Sequence, residues 1–357
     1  MVERVWLKSY PPEVPHDIDP GKIPSLTRLI DDALERHADS DAYMLLGHTA
    51  TYREVDRLSA AFAAWLQSRG LRKGDRIALM LPNVLQYPVA MFGAQRAGLV
   101  VVNTNPLYTA DELRHQMRDS GATTIVVLEN FAHVVQSVLP DTSLKHVLVT
   151  GVGDLLPALK GGIVNFVLRH VKRQVKPWSI PGALRFKQAL REFSGRRHTT
   201  VELQHGDLAF LQYTGGTTGV AKGAMLSHGN MVANVLQSEA WFSQIALDHA
   251  SFYFALPLYH IFSLTANCLL GLRRGGIGIL VPNPRDFAGF VKLLQKHPPN
   301  CFLGVNTLFN ALMNTPGFER IDFSRLAASV GGGMAVQAAV AQRWLELTGT
   351  PLAQGWG

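Results

Sequence analysis

The sequence predicts an α/β protein: two doubly wound α/β subdomains, one after the other, within 357 residues. Three observations predict it. Short, nearly continuous apolar runs alternate with segments of helical period, which is how strands read in a parallel sheet covered on both faces. The alternation occurs twice, over 51–150 and over 206–357, with a basic stretch at 151–205 between them acting as a linker or insert. The length accommodates two or three domains or subdomains of roughly 100–200 residues.

Residues 1–50 form a lead-in and a first helix. SLTRLIDDALERHA places Leu26, Leu29, Ile30, Ala33 and Leu34 on one face, with Ser25 as N-cap. TYREVDRLSAAFAAWLQSRG is a second helix, closed by Gly70. The strand RIALML is followed by the helix LQYPVAMFGAQRAG, with Pro88 near its first turn, and then by the β-branched run LVVVNT. TADELRHQMRDSG carries a capping box at Thr109 and Glu112 and a stop at Gly121. TTIVVLEN and HVLVT complete the first layer as strands. In the second layer DLAFLQYT, SFYFALPL, IGILVPN, CFLGVN and AASV are strands. NMVANVLQSEAWFS, IFSLTANCLLGLRRG, FAGFVKLLQKH, TLFNALMN and VQAAVAQRWLELTG are the helices between them.

Composition excludes several classes. Cys268 and Cys301 are far apart without CxxC spacing, so neither a disulfide framework nor a zinc site is expected. The amino-terminal residues lack the apolar core of a secretory signal. No apolar run reaches the ~18 residues of a membrane helix, and the best one is interrupted by Gln95 and Arg96. The net charge of +7 is local: residues 160–197 hold ten bases and one acid, leaving the rest slightly negative. Nucleic-acid binding by the whole surface is therefore not expected.

The most informative stretch is YTGGTTGVAKGAMLSH, Tyr213 to His228. A strand precedes it and GAMLSH reads as a second strand. The intervening glycines allow close backbone approach to a ligand, and consecutive amides in such a loop can form an anion nest. Thr214, Thr217 and Thr218 add hydroxyl donors, and Lys222 adds a point charge without an acid nearby. The sum is a phosphate cradle. It is not a Walker A loop, because Val220 and Ala221 separate Gly219 from Lys222 and Gly223 follows. His260, between Tyr259 and Ile261, reads on its own residues as a core histidine more readily than as a site group.

YTGGTTGVAKGAMLSH resembles the phosphate-loop signature of the acyl-adenylate-forming superfamily, which comprises acyl-CoA synthetases, luciferases and peptide-synthetase adenylation domains. ALPLYHIFSL resembles its substrate-side histidine motif, VGGGMAVQ its adenine-site glycine turn, and QGWG the start of its aromatic–Gly–x–Thr–Glu motif. VWLKSYPPEVP and LPNVLQYPVAMFGAQRAGLVVVNTNPLYTADEL resemble the bacterial long-chain fatty acid–CoA ligases. The resemblance covers nearly the whole chain. It implies that the two α/β layers belong to the large N-terminal domain of these enzymes.

The resemblance also implies roles. Tyr213, Thr214, Gly215, Gly216, Thr217, Thr218, Gly219 and Lys222 would hold the phosphates of ATP and the leaving pyrophosphate, with Thr214 nearest a magnesium ion. His260 would lie near the substrate carboxylate and the α-phosphate. Gly331, Gly332, Gly333, Gln354, Gly355 and Trp356 would line the adenine site, Trp356 by stacking where the family usually has Tyr. The implied reaction joins a long-chain fatty acid to CoA through an acyl-adenylate. The alternatives are a medium-chain or aryl acid ligase, or a non-catalytic remnant that binds ATP or acyl chains.

The family's Thr–Glu pair, its barrel subdomain and its small C-terminal domain with the catalytic Lys lie outside these 357 residues. Acyl-CoA formation by this polypeptide alone is accordingly not expected. A cytoplasmic location is expected, with peripheral contact to the inner face of an anionic membrane through the basic stretch or, equally, a solvated linker there. A homodimer is among the expected partners.

Overall fold

A computed structural model describes residues 3–214 and 221–355. Among the described residues fourteen strands form two seven-stranded sheets. In chain order the strands are β1 (Asp41–Leu45), β2 (His48–Thr51), β3 (Arg76–Met80), β4 (Val100–Asn103), β5 (Thr124–Leu128), β6 (His146–Thr150) and β7 (Leu184–Arg185). They continue as β8 (Leu208–Thr214), β9 (Lys222–Ser227), β10 (Ser251–Phe254), β11 (Ile277–Leu280), β12 (Cys301–Gly304), β13 (Ala328–Gly331) and β14 (Leu352–Gln354). One sheet runs β7-β6-β5-β3-β4-β8-β9 and the other β14-β13-β12-β10-β11-β1-β2. Within each sheet the neighbours are parallel except for one antiparallel edge hairpin, β8–β9 or β1–β2.

The helices are α1 (Leu26–Arg36), α2 (Tyr52–Ser68), α3 (Gln86–Arg96), α4 (Ala110–Ser120), α5 (Ala132–Val138) and α6 (Ala158–Phe166). They are followed by α7 (Phe186–Glu192), α8 (His228–Trp241), α9 (Leu270–Arg273), α10 (Phe287–Lys296), α11 (Asn306–Met313) and α12 (Ala338–Thr348). The expected capping is present. The Ser25 hydroxyl accepts from the Arg28 amide at 3.1 Å, the Thr109–Glu112 box is closed, and Gly121 ends α4 at φ +62°.

Three apolar clusters define five layers. The largest joins α1, α2, α3 and α8 to the inner faces of both sheets, among them Leu79, Val126 and Phe210 of one and Phe252, Leu280 and Leu303 of the other. A second lies between α10–α12 and the outer face of the sheet carrying β10–β14. A third lies between α4 and α5 and the outer face of the sheet carrying β3–β6. Helix α3 is buried on every side. The two polar residues that interrupt its apolar run are both paired: Gln95 donates to the Ala209 carbonyl at 2.9 Å, and Arg96 binds Asp31 and Asp56 at 2.8 and 2.5 Å. A buried guanidinium is tolerated because two carboxylates and the Ser59 hydroxyl satisfy it.

Two doubly wound layers are present, but they are not separate blocks of chain. The lead-in supplies the β1–β2 hairpin to the sheet built mainly from 251–354, and β8–β9 of the later segment complete the sheet built mainly from 76–150. The stretch 151–205 is likewise more than a linker. Its strand β7 pairs with β6, and Arg169 and Arg185 hold the buried Glu129 at 2.6 and 3.2 Å. A carboxylate that deep needs cations, and the basic segment provides them. Both thiols are buried and unpaired, and burial pushes each up to about 12, so neither serves as a nucleophile at neutral pH. Among the described residues no helix is long and apolar enough to cross a membrane.

Candidate active site

The β8–β9 hairpin carries the phosphate loop. Thr214 and Lys222 face each other as cross-strand partners and close its stem, and both are exposed. Gly215, Gly216, Thr217, Thr218 and Gly219 lie outside the described residues. One position down the stem, Tyr213 pairs with Gly223, where a Cβ would come within 2.9 Å of the tyrosine ring. Glycine therefore lets the ring lie flat across the hairpin.

Helix α4 grips both arms of this stem. The Tyr213 hydroxyl donates to Asp119 Oδ2 at 2.5 Å, and burial together with that carboxylate raises its pKa. His115 Nε2 lies 2.9 Å from the Ala221 carbonyl. The two contacts sit one turn apart on α4, so the loop is hung between two anchored ends. Neither His115 nor Asp119 stood out in the sequence.

His260 follows β10 and precedes a π-helical turn, Ser263–Leu269. Such turns are frequent at functional sites. The Phe262 amide donates to His260 Nδ1 at 3.3 Å, which leaves Nε2 as the protonated nitrogen of the neutral ring. His260 is exposed, yet the surrounding protein withdraws enough water to lower its pKa, so the neutral form prevails at pH 7.

The glycine turn after β13 meets the same region. A Cβ on Gly332 would lie 2.8 Å from the Phe262 ring, and one on Gly331 would lie 2.5 Å from Val336. Gly333 adopts φ +73°. The Gly355 amide donates to the Gly331 carbonyl at 2.8 Å, and Gln354 is in register with Gly331. Gly331, Gly332, Gly333, Gln354 and Gly355 thus gather beside the His260 turn through Phe262. Trp356 lies outside the described residues.

A buried polar joint links this group to the phosphate hairpin. Gln212, adjacent to Tyr213, donates to the Tyr259 carbonyl at 2.9 Å and accepts from Asn103 Nδ2 at 2.9 Å. The single Tyr87 hydroxyl proton is shared between Asn103 Oδ1 at 2.6 Å and the Leu258 carbonyl at 3.0 Å. Asn83 donates to the Phe254 and Leu256 carbonyls and accepts from the Leu258 amide. These side chains tie the carboxyl ends of β4 and β8 to the loop that delivers His260. Crevices at the carboxyl ends of parallel strands are where α/β folds place ligands. The sequence did hold a signal: Asn103 and Gln212 are polar residues near the ends of otherwise apolar strands.

Among the described residues no group of three His, Cys, Asp or Glu is placed to hold a metal ion. Thr214 offers one exposed hydroxyl. That donor set fits a magnesium ion carried mostly by phosphate oxygens and water, not a protein-built metal cage.

Two seven-stranded sheets pack on a shared helical layer, and the stem of the phosphate hairpin, the His260 turn and the glycine turn after β13 lie toward the carboxyl ends of their strands, which defines an α/β protein. The chain belongs to the AMP-binding enzyme family, whose profile matches residues 30–357. It is 50% identical over its whole length to a long-chain-fatty-acid–CoA ligase of Salmonella typhimurium and 49% identical to one of Haemophilus influenzae. It spans 64% of the length of these curated relatives. The crystal structure of the anthranilate CoA ligase AuaEII in complex with anthranoyl-AMP superposes with a TM-score of 0.81 at 20% identity, over 95% of this chain and 61% of that one. At that identity the likeness shows the fold.

Proposed function

We propose that this chain serves an ATP-dependent long-chain fatty acid–CoA ligase, in which the acid is activated as an acyl-adenylate and then transferred to CoA. The observation that carries the reading is the polar joint: the Gln212–Tyr259 bond sets the His260 turn beside the hairpin stem closed by Thr214 and Lys222. Sequence identity of 49–50% to long-chain ligases supports this acid class over aryl acids.

In this reading Tyr213, Thr214, the loop 215–219 and Lys222 bind the phosphates and stabilise charge as pyrophosphate departs. A fatty carboxylate is already ionised at pH 7 and attacks the α-phosphorus without a general base. Neutral His260 donates from Nε2 to an oxygen of the carboxylate or α-phosphate. Gly331, Gly332, Gly333, Gln354, Gly355 and Trp356 receive the adenine. Thr214 would hold a magnesium ion bound with the nucleotide, and that ion would supply neutralisation of phosphate charge. The product suits fatty acid β-oxidation in the cytoplasm. Peripheral contact with the inner membrane face and a homodimer complete the proposed setting; nucleic acid is not a partner.

Titration calorimetry with palmitate, octanoate and benzoate tests the acid class. Burial of the added methylenes, at ~0.8 kcal/mol each, favours palmitate by far more than tenfold over octanoate. Octanoate or benzoate binding as tightly as palmitate would overturn the assignment.

A further inference from the structure

We propose that the helical segment from Ala158 to Val171 is the surface by which the protein docks on an anionic bilayer. The segment consists of α6 and its π-helical continuation, Val167–Val171. Its inward face is narrow: Gly161 and Asn165 are buried there, and Val164 packs against the central apolar cluster. The buried Asn165 accepts from the Gly153 amide and donates to Asp154 Oδ1, both at 2.8 Å. Gly161 lies so close to Gly153 that a Cβ would stand 2.1 Å from its carbonyl oxygen. The large apolar side chains face outward instead: Leu159 is 81% exposed, Ile163 57%, Phe166 58% and Val171 66%. Single exposed apolar residues are ordinary, but four along one short helical segment form a patch that needs a cover.

Charge selects the cover. From Leu155 to Arg191 the chain holds eight bases and no acid. Lys172, Arg173 and Lys176 are exposed just beyond the helix, and a cleft lined by Arg169, Arg185, Lys187, Arg191, Asp154 and Gln188 opens on the same segment. Apolar side chains rimmed by cations match the acyl boundary and phosphate headgroups of an anionic membrane. A second copy meeting this face symmetrically would bring two cationic rims together. The inference extends the fatty-acid reading, in which the substrate itself partitions into bilayers. Its test needs neither ATP nor acyl substrate, so the two fail separately.

The test is vesicle flotation with phosphatidylcholine alone and with added phosphatidylglycerol, at low and high salt. The protein is compared with L159S/I163S/F166S and with K172Q/R173Q/K176Q, each checked by circular dichroism. The expected result is binding to phosphatidylglycerol vesicles, release by salt, and about tenfold or greater weakening in both variants. Equal binding to both vesicle types, no binding to either, or unchanged binding by the two variants would overturn the proposal. So would a lipid-free dimer, seen by sedimentation, that the apolar triple variant abolishes.

Discussion

Tyr213 and Gly332 carry the finest geometry of the candidate site. The Tyr213 hydroxyl is fixed by a carboxylate on another element, so Asp119→Ala releases one arm of the phosphate hairpin. Asp119 is exposed, which limits the stability loss to about 1 kcal/mol. The larger expected effect is on function: ATP affinity falls several-fold while palmitate binding, measured by the same calorimetry, stays unchanged. Gly332→Ala forces a methyl group against Phe262 and costs about 1–3 kcal/mol, to be read from urea unfolding midpoints. At this scale the glycine loop, Lys222, the His260 motif and the glycine turn were legible, because each is a local cluster of residue types with a chemical purpose. His115 and Asp119 were not. Their partners lie 106 and 94 residues away, and nothing local distinguishes them from solvated residues on the polar face of α4.

Helix α8 contributes a titration that shapes acid stability. His228, at its first position, is buried, and its Nδ1 accepts from the Leu26 amide at 3.2 Å. Burial lowers its pKa to about 4 from an unfolded value near 6.5. The folded state therefore favours the neutral ring. Its stabilising contribution is complete above the unfolded pKa and is lost as pH falls from there through about 4. Between pH 7 and pH 5 the expected loss is about 2 kcal/mol from this group. His228→Asn retains an acceptor for Leu26 and removes the proton, so its thermal midpoint should fall less over that interval than that of the unaltered chain. Most elements were legible from periodicity and caps. The β1–β2 hairpin was not, and its turn explains why: Leu46 sits at φ +51° before Gly47 at +73°, where Asn or Gly normally announces such a turn.

At the scale of the whole molecule the two sheets are held together by a shared helical layer and by the polar joint at their carboxyl ends. Tyr87→Phe removes the one buried hydroxyl proton that Asn103 Oδ1 and the Leu258 carbonyl share. The expected cost is about 1–3 kcal/mol in urea unfolding, with weaker ATP binding because the His260 turn loses an anchor. The exchange of edge hairpins between the sheets was not legible, since pairings such as β1 with β11 join segments more than two hundred residues apart. The central claim is that the hairpin closed by Thr214 and Lys222 cradles the phosphates of ATP. It is tested most directly by titrating ATP into the unaltered chain and into Lys222→Ala by calorimetry, with palmitate as control. A charge-assisted contact of roughly 1.5–3 kcal/mol predicts ATP affinity about tenfold or more weaker in the variant, with palmitate affinity unchanged. Equal ATP affinity in the two proteins would contradict it.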